Sequence, residues 1–136
     1  MDIEKYMPPA HALRSATGLT WLDDSGIIIA VANPHDIHTL KDAEENQRII
    51  SLLAGDIKRP FLIDISNVKS MSREARAFYA GPEPPKTITA VAIVTNSNIG
   101  NLVGNFFISL TSPRVPTRMF SDPIQAQNWL QQFKQQ

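Results

Sequence analysis

The chain has 136 residues, and its thirteen basic and thirteen acidic side chains give it no formal net charge. This length is enough for one domain with its own core, and a neutral chain offers no electrostatic case for binding nucleic acid or an anionic membrane. The absence of cysteine excludes disulfides, thiolate metal sites and a cysteine nucleophile. The residues after Met1 contain no apolar signal segment, so we expect a cytoplasmic protein.

The first third of the chain predicts a β-hairpin. Residues 1–10 are proline-containing and are expected to be loosely ordered. Residues 13–22 have strand-like stretches, residues 23–26 read Asp-Asp-Ser-Gly and predict a turn, and residues 27–32 are rich in β-branched side chains. We therefore predict two antiparallel strands.

Two helices with a strand between them are predicted next. Thr39 is expected to cap a helix from about Leu40 to Ala54. Residues 61–66 read as a buried strand whose last residues are polar. Ser72 is expected to cap a second helix, which ends near Ala80 because the following Gly-Pro-Glu-Pro-Pro cannot continue it.

The last third predicts two further strands and two further helices. Residues 87–95 form a predicted strand with small alanines on one face, and a helix runs from Ser97 or Asn98 to about Leu110. A short strand at residues 117–120 precedes a last helix that begins at Asp122 and Pro123. The order ββαβαβαβα predicts one α/β domain, residues 1–136, in which a single mixed, mostly parallel five-stranded sheet carries four helices and one antiparallel edge strand.

The loops after the strands should meet at one edge of this sheet, where open α/β sheets hold their ligands. Candidate residues for an interaction or ligand edge are Asn67, Lys69, Ser72, Arg73, Glu74 and Asn96. The same residue types are common as turn and cap residues, which is the simpler explanation of the pattern.

The patterns of catalytic and metal sites are missing. His35 and His38 flank Asp36, but a third ligand is not indicated, and a turn before the helix explains them better. The sequence has no Gly-x-Ser-x-Gly elbow, no phosphate-binding glycine loop and no paired-carboxylate spacing. We therefore expect no catalytic residues, no metal site and no cofactor, and we predict that the protein is not an enzyme.

A symmetric homodimer is a further expectation. Gly104 and Ile108 lie together on the predicted third helix, opposite its apolar stripe, and that helix carries no charge. For the glycine alone, close packing against the chain's own sheet is the preferred explanation, and the alternative is a homodimer contact or a groove for an apolar ligand.

Three short motifs resemble one family. They are Asp64-Ile65-Ser66 with Val68, followed by Ser-Arg-Glu-Ala-Arg at residues 72–76; Gly-Asn-Phe-Phe at residues 104–107; and Pro-Thr-Arg-Met-Phe at residues 116–120. They are similar to motifs of the STAS/SEC14-like, or SpoIIAA-like, small bacterial domains, which are distantly similar to anti-sigma-factor antagonists. The resemblance covers most of the chain from about Gly18.

The resemblance implies a SpoIIAA-like fold and a non-catalytic regulatory or protein-interaction module. In the antagonists a serine at the start of the helix accepts phosphate, and the matching position here is Glu74, so we expect no such switch. The SEC14-like part of the family implies an alternative, a domain that binds a small apolar or lipid-like ligand. The partner protein or ligand is not specified by the sequence.

Overall fold

The computed structural model describes residues 6–34, 37–98 and 115–134. Within these residues one mixed sheet contains six strands, which lie in sequence order from β1 to β6. The first two pairings are antiparallel and the remaining three are parallel. The strands are β1 Leu13–Ser15, β2 Gly18–Leu22, β3 Ile28–Ala32, β4 Arg59–Asp64, β5 Ile88–Val94 and β6 Thr117–Phe120.

Three α-helices accompany the sheet in the described part of the chain. They are α1 Leu40–Ala54, α2 Arg73–Ala80 and α3 Pro123–Leu130, and single 3₁₀ turns follow at Pro84–Lys86 and Gln131–Phe133. The predicted α/β class is confirmed. The predicted helix from Ser97 or Asn98 to Leu110 lies almost entirely outside the described residues.

The predicted strand count of five is wrong, because residues 13–22 form two strands and not one. The chain reverses after Ser15, whose hydroxyl accepts a hydrogen bond from the Thr17 amide at 3.2 Å. Ser15 then pairs with Gly18, so β1 and β2 form a tight hairpin. The parallel part of the sheet is therefore extended at one edge by two strands with antiparallel pairing, and not by the single predicted edge strand.

The predicted hairpin between β2 and β3 is confirmed. The Asp23 carboxylate accepts hydrogen bonds from the amides of Ser25 at 2.9 Å and Ile27 at 3.0 Å. Gly26 completes the turn with a φ of 92°, a conformation that glycine adopts without steric cost. The polar residues between the two apolar runs thus supply the hydrogen bonds that reverse the chain.

The helices begin where their capping residues predict. The Thr39 hydroxyl accepts from the Asp42 amide at 3.3 Å, and the Asp42 carboxylate accepts from the Thr39 amide at 2.9 Å, which completes a capping box at α1. The Ser72 hydroxyl accepts from the Ala75 amide at 3.1 Å and caps α2. Asp122 caps α3, and Pro123 occupies its first turn.

One face of the sheet is closely packed against α3. Ala90 and Ala92 of β5 are fully buried here, and their small side chains let α3 approach with Ala126 and Leu130. The predicted small-residue face of β5 is thus covered by the chain's own helix. The buried residues of this continuous core are Trp21, Ile27, Ile29, Val31, Leu62, Ala90, Ala92, Val94, Ala126 and Leu130.

On the opposite face, which carries α1 and α2, the buried apolar residues that the structure describes fall into two clusters. One buried cluster contains Ile28, Ile50, Ala54 and Ile88. A second contains Ala32, Ile65, Val68 and Ile93. The two clusters lie toward opposite ends of the strands, and the half-buried Val91 packs against both. Every helix in the described part of the chain is too short or too polar to cross a lipid bilayer.

Gly18 is required by the close pairing of β2 with β3. A Cβ atom at this position would lie 2.1 Å from the Val31 carbonyl oxygen and 3.0 Å from the Ala32 Cα atom. Because both obstacles are backbone, Gly18→Ala has to push the two strands apart. We expect it to lower the free energy of unfolding by about 2–3 kcal/mol in urea denaturation.

Gly81→Ala is the matched control for this substitution. There the nearest atom to a Cβ would be the Phe78 carbonyl oxygen at 3.2 Å, at the exit of a helix. We expect a change below about 1 kcal/mol. Equal losses of unfolding free energy for the two variants would show that Gly18 is not required by the β2–β3 spacing.

Candidate ligand-binding site

A cavity of about 120 Å³ lies between the sheet and helices α1 and α2. Its floor is a row of side chains from four neighbouring strands, set by the strand register: Thr20, Ala30, Ile63 and Ile93. Ala30 stands in the middle of β3, where the flanking positions on the same face are Ile28 and Ala32. Its short side chain leaves space that a larger residue would fill.

Apolar side chains form most of the cavity wall. Ile50 of α1, Phe61 of β4 and Val91 of β5 line one end, and Ile65, Val68 and Met71 contribute from the segment around the end of β4. Phe61 and Val91 remain only half-buried although they belong to central strands. Both side chains are among the residues that line the cavity, so they offer it apolar surface.

Four hydrogen-bonded side chains, here called the polar cluster, also line the cavity: Thr17, His38, Asn46 and Tyr79. The Tyr79 hydroxyl lies 2.8 Å from His38 Nε2, and Asn46 Nδ2 donates to the Tyr79 hydroxyl at 3.3 Å. Asn46 Nδ2 also donates to the Thr17 hydroxyl at 3.2 Å. These distances fit a chain in which Asn46 donates to Tyr79 and Tyr79 donates to His38.

The polar cluster lies at the edge where the parallel strands β3 and β4 end. The Thr17 carbonyl accepts from the Asn33 amide, just beyond β3, at 2.7 Å. His38 forms a parallel bridge with Met71, and its backbone exchanges hydrogen bonds with Ser70 and Ser72 at 3.0 and 2.9 Å. The cavity therefore has a polar end, formed by the polar cluster, and an apolar end, formed by Ile50, Phe61 and Val91.

The environment of Tyr79 keeps its phenol protonated. Burial raises the pKa of Tyr79 well above its usual range, and the Asp42 carboxylate adds to the rise. The hydrogen bond from Asn46 acts in the opposite direction and does not cancel the effect of burial on this pKa. Tyr79 is thus a neutral hydrogen-bonding group at any physiological pH.

A second tyrosine is held on the other side of the sheet. The Tyr6 hydroxyl donates to the buried carboxylate of Asp64 at 2.5 Å, and Tyr6 packs against the core beneath α3. Burial raises the pKa of Tyr6 above its usual range, and the hydrogen bond and negative charge of Asp64 raise it further. This pair is separated from the cavity by the sheet and serves below as a control.

The structure brings part of the predicted edge together through its loops. The Asn67 side chain donates to the Ala32 carbonyl at 3.3 Å, and the Asn96 amide donates to the Ser66 hydroxyl at 3.2 Å. The loops after β3, β4 and β5 are thus joined by hydrogen bonds. Ser72 serves as the cap of α2, as the simpler interpretation proposed.

The remaining predicted residues of this edge are solvent-exposed. They are Lys69, Arg73 and Glu74. The cavity-lining residues that the structure describes include none of the six predicted edge residues. Their role in an interaction stays a prediction.

Several predicted residues fall outside the described part of the chain. They include Gly104 and Ile108, so the homodimer contact stays a prediction, and also His35 and Asp36. His38, the other histidine considered for a metal, is bonded to Tyr79 and lies near Asn46 Nδ2 at 3.3 Å.

The cavity residues were missed because no local motif connects them. Asn46 lies one helical turn before Ile50, and Tyr79 lies in the last turn of α2, so only the packing of the two helices brings them together. The available signals were weak: Ala30 interrupts a run of larger apolar residues, and Asn46 lies near the sheet-facing side of an amphipathic helix.

Comparison with known proteins supports the fold without supplying a function. A family model for DUF7793, a domain of unknown function, matches residues 20–134. The chain belongs to the DUF7793 family. No curated protein matches this DUF7793 chain significantly.

Two solved structures are similar to this DUF7793 domain. One is an uncharacterized protein of the DUF3478 family with a SpoIIAA-like fold from Shewanella loihica PV-4, which is 22% identical with a TM-score of 0.54; the match covers 88% of this chain and 90% of that one. It supports the predicted SpoIIAA-like fold. The other is a protein of unknown function from Arthrobacter sp. FB24, which is 26% identical with a TM-score of 0.35 over 87% of this chain and 95% of that one.

The two tyrosines predict an unusual alkaline titration. A free phenol ionises near a pKa of about 10, but both phenols of the folded DUF7793 domain have raised pKa values. Ultraviolet absorbance should therefore show no tyrosinate near that pH while the protein stays folded. Stability contributed by the two phenols is complete below about pH 10 and is lost as the pH rises further.

The same titration in concentrated urea is the control, because both phenols should then ionise near their usual pKa. Tyr6→Phe and Tyr79→Phe assign the signal, since the chain has only these two tyrosines. A phenolate step near the usual pKa in the folded protein would contradict the burial of one of them.

Proposed function

We propose that this DUF7793 domain binds a small, largely apolar molecule in the cavity between the sheet and helices α1 and α2. The observation that carries the proposal is the cavity of about 120 Å³ on this face, whose described lining is mostly apolar side chains. The face beneath α3 has a continuous core in the same sheet. A void that costs stability and is lined by apolar side chains is typical of a ligand site.

The size of the cavity favours a small ligand over a lipid. An apolar cavity of about 150 Å³ in another protein accommodates benzene or xenon. The cavity here is slightly smaller, so its enclosed part suits a molecule of about one ring or a short aliphatic chain. The alternative function drawn from the sequence included lipid-like ligands, and our proposal restricts it to smaller molecules.

The proposed role is binding without chemistry, in agreement with the expectation that the protein is not an enzyme. A general base acts best with a pKa near the working pH, whereas burial raises the pKa of Tyr79 further above that pH. The side chains of the polar cluster are also hydrogen-bonded to each other. These features suit a rigid recognition surface.

The regulatory or protein-interaction module predicted from the resemblance remains compatible with ligand binding. The hydrogen-bonded loops after β3, β4 and β5 offer an ordered surface for a partner. Its partner, the homodimer and the absence of a phosphoserine switch stay predictions.

Toluene tests the binding proposal because it is apolar and about the size of the cavity. For seven heavy atoms we expect a dissociation constant of about 0.1–1 mM, which corresponds to about 4–5.5 kcal/mol. Isothermal titration calorimetry measures the affinity. In methyl-detected NMR spectra the shifted signals should belong to Ile63, Val91 and Met71, which line the cavity.

Ala30→Leu should abolish toluene binding, because the added carbons occupy the middle of the cavity floor. The protein should keep its stability or gain up to about 1 kcal/mol, as in other cavity-filling substitutions. Ala77→Leu makes the same change at an exposed position of α2 and should leave binding intact. Unchanged toluene binding in Ala30→Leu, or no binding to the unmodified protein, would refute this site.

A further inference from the structure

The described lining of the cavity is amphipathic, with a polar end and an apolar end. Thr17, His38, Asn46 and Tyr79 form its polar end from the β1–β2 turn, the segment before α1, α1 and α2. Its other end is formed by apolar side chains such as Ile50 and Phe61. A ligand that fits both ends needs one polar group on an otherwise apolar body.

The described lining of the cavity carries no side chain with a permanent charge. The polar lining residues are Ser15, Thr17, Thr20, His38, Asn46 and Tyr79, and the others are glycine or apolar. Burial of a charge that lacks an opposite charge is very costly, whereas a neutral polar group is tolerated if it is hydrogen-bonded. The described lining therefore favours a neutral polar group over carboxylate, phosphate and ammonium groups.

The polar cluster presents both donors and acceptors. The Asn46 amide hydrogens are used within the cluster, but the Asn46 carbonyl and the Thr17 hydroxyl, 3.4 Å apart, can accept, and the Thr17 hydroxyl can also donate. A hydroxyl group can donate and accept as well, so it can exchange hydrogen bonds with such a cluster in more than one orientation. A hydrocarbon cannot form these bonds.

We propose that the natural ligand is a neutral small molecule with a single hydroxyl group on an apolar ring or short chain. The hydroxyl binds at Thr17, Asn46 and Tyr79, and the apolar part packs against Ile50, Phe61 and Val91. This inference rests on the proposed ligand-binding function and specifies its chemical class. The polar cluster sets the preference for the hydroxyl, and the apolar walls set the size of the molecule.

Three ring compounds test this assignment: phenol, toluene and benzoate. Phenol and toluene have the same number of heavy atoms, but toluene is the more apolar and would bind more tightly in a plain hydrocarbon cavity. We expect phenol to bind the unmodified protein at least as tightly as toluene. Benzoate, which is charged, should bind at least about tenfold more weakly than phenol.

Tyr79→Phe removes one hydroxyl from the polar cluster and should lower the affinity for phenol about 2- to 10-fold, the usual effect of one hydrogen bond. The affinity for toluene should stay the same or rise. Tyr6→Phe is the matched control, because it removes the only other tyrosine hydroxyl, which lies beyond the sheet at Asp64. It should leave both affinities unchanged. Thr17→Val is a second variant of the cluster, to be used if Tyr79→Phe does not fold.

The outcomes separate this inference from the proposed function. Three results would overturn the hydroxyl assignment while leaving an apolar site. They are tighter binding of toluene than of phenol, preferential binding of benzoate, and a phenol affinity that neither Tyr79→Phe nor Thr17→Val changes. Failure of both toluene and phenol to bind would overturn the proposed function itself, and with it this inference.

Discussion

The need to satisfy buried and partly buried polar groups fixes how the elements on one face of the sheet are arranged. Thr17, His38, Asn46 and Tyr79 come from four separate segments and bond to one another at distances of 2.8 to 3.3 Å. A buried polar group without a partner costs about 1–3 kcal/mol, so these segments are held in one relative position. Helices α1 and α2 therefore meet above the sheet at its carboxyl edge.

The two faces of the sheet differ as a consequence. On the face of Ala90 and Ala92, small side chains and α3 produce a continuous core. On the other face, the buried residues that the structure describes fall into two clusters, and the polar cluster and the short side chain of Ala30 line the cavity. The cavity is therefore a product of specific residues in the fold. This is why we assign it a binding role rather than regard it as a packing defect.

Local patterns in the sequence predicted the local structure well. Thr39 with Asp42, Ser72, and Asp122 with Pro123 each fix a helix start by a bond within a few residues, so their roles could be recognised directly. The turn after Ser15 was missed because an Ala-Thr pair is a weak turn signal. The cavity could not be predicted from the sequence, because it depends on how Ala30, Asn46 and Tyr79, which belong to three separate elements, are brought together in space.

A crystal structure of the protein under xenon pressure tests the central claim most directly, since xenon binds apolar cavities of this size without needing any hydrogen bond. The account predicts a xenon atom above Ala30, in contact with Ile63 and Val91. A cavity that stays free of xenon, or one filled by the protein's own side chains in the crystal, would contradict the assignment of this face as a ligand-binding site.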